Sequence, residues 1–86
     1  MSAPRVLRLT SADNVVIAVD QIAQGQDALG VIAAQRIPRG HKMAAQRIEK
    51  DQPVRKFGQI IGFASEDIAP GAWVHEHNCY FAAFER

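Results

Sequence analysis

Short apolar runs alternate with polar, glycine-containing breaks along the whole chain. Val6-Leu7-Arg8-Leu9 is the first run, and Thr10-Ser11-Ala12-Asp13-Asn14 interrupts it with residues that hydrogen-bond their own backbone in turns. Val15-Val16-Ile17-Ala18-Val19 follows, β-branched and apolar, and reads as a buried strand. A helix over Asn14 to Gln24 is the alternative, because Val15, Val19 and Ile22 fall at i, i+4 and i+7. Further strands are expected at Gly30 to Ala34, Lys42 to Ile48, Val54 to Phe57, Gln59 to Ala64 and Val74 to Phe81. Met43-Ala44-Ala45-Gln46-Arg47 has helix-forming composition, but a helix that short does not hold by itself, so the stretch reads as strand.

The breaks share a signature. Ile22-Ala23-Gln24-Gly25, Ile37-Pro38-Arg39-Gly40 and Ile68-Ala69-Pro70-Gly71 are all Ile-x-x-Gly, and Ile48-Glu49-Lys50-Asp51 repeats it with Asp in the last place. Each reads as an anchoring isoleucine followed by a tight turn whose last residue takes φ > 0, cheapest for Gly and tolerable for Asp. After three of these turns an apolar residue, Leu29, Val54 or Val74, is expected to re-enter the core. The pattern predicts one small all-β domain over residues 1–86, with 1–4 as a loose end.

Composition narrows the partners. At 48% hydrophobic and 22% charged the chain is globular, and a net charge of +1 gives no electrostatic reason for a nucleic acid or an anionic membrane as partner. The lone Cys79 excludes an internal disulfide and suits a reducing compartment. The run Val15 to Val19 stops at Asp20, too short for a signal peptide, and no stretch approaches the ~20 apolar residues of a membrane helix. A cytoplasmic location is the expectation. The tail Cys79-Tyr80-Phe81-Ala82-Ala83-Phe84 is aromatic, and residues 79–86 either close the core or form an interface, a homo-oligomer included.

The chemistry-bearing residues gather at glycine turns. His75 and His77 follow Gly71-Ala72-Trp73-Val74, and on a strand two residues that far apart share a face. They read as a metal-ligand pair, as a grip on an acid's carboxylate, or as two surface histidines on an edge strand, and the spacing alone favours the last. His41, after Gly40, could supply a third ligand. Lys42 beside it reads either as a partner for a substrate carboxylate or as a solvated lysine. Asn78 would orient a histidine through its second ring nitrogen or end the strand. Arg55-Lys56 reads as a solvated face, and Cys79 as a buried structural thiol rather than a ligand.

From Ile37 onward the motifs fall in a recognisable order: Ile-Pro-Arg-Gly-His-Lys-Met-Ala, then Arg-Lys-Phe-Gly-Gln-Ile-Ile-Gly-x-Ala, then Ile-Ala-Pro-Gly-x-x-Val-His-x-His-Asn. This resembles the small N-terminal domain of the altronate and galactarate dehydratases, and the separate small subunit of the related sulfolactate sulfo-lyase, within the SAF-domain group. The resemblance implies a β-clip, a long hairpin bent over on itself. It also implies a lyase that removes water, or sulfite, from a sugar acid or hydroxy acid with a divalent metal, Fe2+ ahead of Mn2+ or Mg2+. The chain would then be a subunit inactive alone, working with a large catalytic partner. The residues it would contribute are His41 and Lys42 for catalysis, Lys42 and Asn78 for substrate, and His75, His77 and His41 for the metal. Eliminating a β-hydroxyl needs a base for the proton α to the carboxylate and an electrophile for the resulting carbanion, which a chelated cation provides. No residue here fits the base, so that role falls to the partner. Phe57 stands where the family often has Tyr, which removes a hydroxyl. Glu76 stands between the histidines where a small or apolar residue is common, and on a strand it would face away from them.

Overall fold

The computed structural model describes residues 3–80, which form nine short strands and the turns between them. Strands β1 (Val6–Leu7), β2 (Val15–Ala18), β5 (Lys42–Ala44) and β8 (Trp73–Val74) make an antiparallel sheet in the order β1-β2-β5-β8. The helical alternative for Asn14 to Gln24 is therefore excluded: Val15, Val16 and Ile17 pair with Ala44, Met43 and Lys42. Pairing suits this run because both of its faces are covered, as its unbroken apolar character requires. Val15, Ala44 and Val74 enter one buried cluster, while Val16, Ala18 and Met43 enter a second on the opposite face.

Each cluster is completed by a hairpin that leaves this sheet and returns to it. The first hairpin leaves at Ile22 and returns at Ile37, which form an antiparallel bridge, and carries β3 (Asp27–Ala28) and β4 (Val31–Ile32). The second leaves at Ile48 and returns at Ile68, bridged likewise, and carries the longer β6 (Pro53–Lys56) and β7 (Gln59–Ala64). The four Ile-x-x-Gly or Ile-x-x-Asp turns open and close these two loops. Their last residues all adopt the left-handed backbone: Gly25 at φ 88°, Gly40 at 83°, Asp51 at 72° and Gly71 at 85°. All four isoleucines are buried, which is what anchors each turn.

The hydrogen bonds that close the turns of the two loops correspond. Gly25 N donates to Ala33 O (2.8 Å) as Asp51 N does to Ala64 O (2.7 Å), and Gly40 N donates to Ala18 O (2.7 Å) as Gly71 N does to Ala44 O (2.8 Å). Even the side-chain device repeats: Gln26 Oε1 accepts from Ala23 N (2.7 Å) and Gln52 Oε1 from Glu49 N (2.9 Å). A duplicated turn–hairpin–turn unit on either side of one sheet is the plan of the molecule, an all-β bent ribbon.

Three expectations are corrected. Leu29 does not re-enter the core; it sits at φ 53° in the tip of the first hairpin and is 67% exposed, whereas Val54 and Val74 are fully buried. The strand expected from Val74 to Phe81 is broken by a turn over His75 to Asn78, after which β9 (Cys79–Tyr80) pairs with β7 in a different sheet. The strands expected at Gly30 to Ala34 and Lys42 to Ile48 shorten to β4 and β5 because their outer residues belong to the turns. The aromatic tail beyond Tyr80, and with it the interface expected there, lies outside the described residues.

The second hairpin is tied back to the chain before β2 through the side chains of Asp13 and Asn14. Asp13 Oδ1 accepts from Gly58 N at its tip (2.7 Å), and Asn14 bridges its first strand, donating to Pro53 O (2.9 Å) and accepting from Arg55 N (2.7 Å). Asp13 and Asn14 thus satisfy more than their own turn, and both are buried.

Candidate functional site

Antiparallel register sets Lys42 opposite Val74 and Met43 opposite Trp73. Extending it by one residue brings His41, just before β5, beside His75, just after β8, on the same face as Trp73. Their rings meet accordingly. The centroid separations are 5.3 Å for His41–His75, 5.6 Å for His41–Trp73 and 4.9 Å for the stacked pair Trp73–His75. His77 joins from the turn, its ring 5.6 Å from that of Trp73. All three histidines therefore gather around a residue that sequence reasoning treated only as strand-forming. Its single usable signal was an indole between a glycine turn and a His-x-His pair.

The two histidines at 75 and 77 do not share a strand face; they lie in the turn that Asn78 builds. Asn78 Oδ1 accepts from His75 N (3.0 Å), its Nδ2 donates to Trp73 O (2.9 Å), and its own N donates to His75 O (3.1 Å). Asn78 is buried, and it positions His75 through the backbone rather than through the second ring nitrogen. Asparagine's readiness to bond neighbouring backbone was the sequence signal for this turn.

Lys42 points to the other face of β5, where it lines a cleft of about 190 Å³ with His75, Glu76 and Cys79. Burial holds its ammonium below the ordinary lysine range, and the Lys56 cation adds to that, with Cys79 slightly opposing. Among the described residues Lys42 makes no ion pair. A partly dehydrated cation without a counter-ion at a cleft mouth is suited to an incoming carboxylate. Cys79 is a buried thiol whose ionisation burial pushes up, with Lys42 acting in the opposite direction, so it is not a ready nucleophile. A second, wider groove runs past Gln35, Trp73, His75, Glu76 and His77, and Gln35 Oε1 accepts from Trp73 N (3.3 Å).

Among the described residues no three His, Cys, Asp or Glu side chains converge to hold a metal ion. His41 Nδ1 is moreover engaged by the indole N–H of Trp73 at 3.2 Å. The described groups therefore do not by themselves make up a coordination sphere for Fe2+, Mn2+ or Mg2+, which asks for three protein donors and an open position in a catalytic site.

The chain is similar to altronate dehydratase of Escherichia coli, 40% identical over 76 residues, and to altronate dehydratase of Bacillus subtilis, 38% identical over 76 residues; each match takes in 84% of this chain. It is 32% identical over 75 residues, 81% of the chain, to the L-threo-forming galactarate dehydratase of Escherichia coli. These stretches are only 15%, 15% and 14% of the three relatives' own lengths. The family described as altronate/galactarate dehydratase SAF domain matches residues 4–81, spanning the sheet, both hairpins and the histidine turn, and this chain belongs to it.

Proposed function

We propose that this chain serves a sugar-acid dehydratase as its small β-clip subunit, completing a site on a larger catalytic partner. The observation that carries the reading is the gathering of His41, His75 and His77 around Trp73, with Lys42 adjacent in sequence and in no ion pair among the described residues. Lys42 would hold one carboxylate of the acid in the cleft it shares with His75, and His41, on the other face of β5, would meet an oxygen further along the acid. The base that removes the α-proton, and most donors to a divalent metal, belong to the partner, so the chain alone is inactive. The relatives' names favour water as leaving group, from altronate or galactarate. The test is turnover of these acids by the complex of this chain with its large partner. His75→Ala and Lys42→Ala should each lower it about 10–100-fold, the scale at which supporting residues of such sites act. Unchanged turnover in both variants would leave the catalytic reading without support. A non-catalytic module that binds a carbohydrate acid or docks a partner protein is the second reading, favoured by the lack of a convergent metal set among the described residues. It predicts that His75→Ala lowers acid binding by the isolated chain while turnover by the complex stays unchanged.

A further inference from the structure

Indole has an N–H and no acceptor on its ring nitrogen, so where Trp73 Nε1 lies 3.2 Å from His41 Nδ1 the histidine must offer the lone pair. A neutral imidazole carries one ring proton, and that proton is then on Nε2. The other tautomer, or the imidazolium, would set N–H against N–H.

Both partners are held from the backbone outward. Trp73 sits in β8, with its N bonded to Gln35 Oε1, its carbonyl to Asn78 Nδ2 (2.9 Å) and its ring stacked on His75. His41 donates from its backbone N to Pro38 O (3.0 Å) and accepts at its carbonyl from Ala18 N (2.9 Å). These bonds fix the main chain on both sides of the contact.

We infer that Trp73 is a positioning residue that fixes His41 as the Nε2–H tautomer, so that His41 meets a ligand as a hydrogen-bond donor rather than as a metal ligand. The group it suits is a carboxylate or hydroxyl oxygen of an acid. Metal ligation through Nε2 would need the proton on Nδ1, where the indole N–H already points. The tautomer rests on this geometry alone, whereas the identity of the ligand rests on the function proposed above.

The tautomer can be read directly from the full chain labelled with nitrogen-15 in histidine, using long-range nitrogen–proton correlation at a pH where His41 is neutral. The expected result is a protonated Nε2, a bare Nδ1 and a Trp73 indole proton shifted downfield. Trp73→Phe keeps the ring but not the donor, so its tautomer ratio should relax towards that of free imidazole. His41→Phe should return the indole proton to its free position. A proton on Nδ1 in the unsubstituted chain, or an indole signal and tautomer ratio unmoved by these variants, would overturn the assignment. Where a variant fails to fold, the Trp73 indole proton of the unsubstituted chain still decides: a proton at its free position would overturn the contact on which the assignment rests. If the tautomer is as stated but His41→Phe leaves turnover by the complex unchanged, the ligand role fails and the positioning role stands.

Discussion

The lobe closed by Ile22 and Ile37 and the lobe closed by Ile48 and Ile68 share their backbone hydrogen bonds yet differ in what surrounds them. The first is short, ends in an exposed Leu29-Gly30 tip, and touches the histidine region only through its returning strand, where Gln35 accepts from Trp73 N and Ala34 donates to Gly71 O. The second is longer, has its Phe57-Gly58 tip tied to Asp13, and gains β9 as a third strand. Only there does the chain run on from the closing turn into Trp73, His75 and His77. The same structural unit is used twice, and the chemistry collects where the second use adjoins the turn after β8.

The equivalence of the closing turns is broken most sharply by Gly40 and Gly71. Both have φ near the left-handed region, but a Cβ on Gly40 would meet open space, while one on Gly71 would land on the carbonyl oxygen of Ile32. Gly40→Ala should cost about 1–2 kcal/mol for the backbone conformation alone. Gly71→Ala should cost at least about twice that, out of a total of about 5–10 kcal/mol for a domain of this size. Denaturant unfolding of the two variants measures the difference, and equal costs would mean that the lobes do not press on each other at this point.

Acid should separate the lobes next. Burial pushes the Asp13 carboxyl up, but hydrogen bonds from Gly58, Phe57 and Thr10 outweigh it and hold it at about 2. A carboxylate held below its unfolded value, near ~4, contributes stability that is complete above that value and is lost as the pH falls through about 2. Asp20, held well down chiefly by its hydrogen bond from Arg5, acts in the same direction. The protection of the Gly58 amide, taken relative to its intrinsic exchange rate at each pH, should therefore fall on acidification before that of the sheet, and Asp13→Asn should lower it already at neutral pH.

The smallest effect tests the likeness instead of the difference. Gln26→Ala and Gln52→Ala each remove one side-chain acceptor from an equivalent turn, so each should cost about 1 kcal/mol. A gap between them larger than about 1 kcal/mol would show that the turns are alike in outline only.

Much of this plan was legible in the sequence. The Ile-x-x-Gly punctuation announced four turns with a left-handed last residue, Asp51 included, and the β-branched run at Val15 announced the central strand. Leu29 misled because hydrophobicity suggested burial, whereas the Leu29-Gly30 pair serves a hairpin tip in which both residues take φ > 0. The histidine turn was missed because alternation past Trp73 mimics a strand. What overrides it is one asparagine side chain spent on the backbone of residues 73 and 75. The convergence of His41 with His75 depends on cross-strand register, a long-range property that no local pattern encodes.

Where Ile32 and Ala34 meet Gly71, the ribbon of the first lobe rests directly on the turn that leads into Trp73, with Ala34 N bonded to Gly71 O at 2.8 Å. The first lobe, which has no histidine between Ile22 and Ile37, is thus the template against which the histidine-bearing turn is cast. Lengthening or shortening that plain ribbon by a residue would retune the aromatic cluster from a distance, without touching any side chain in it.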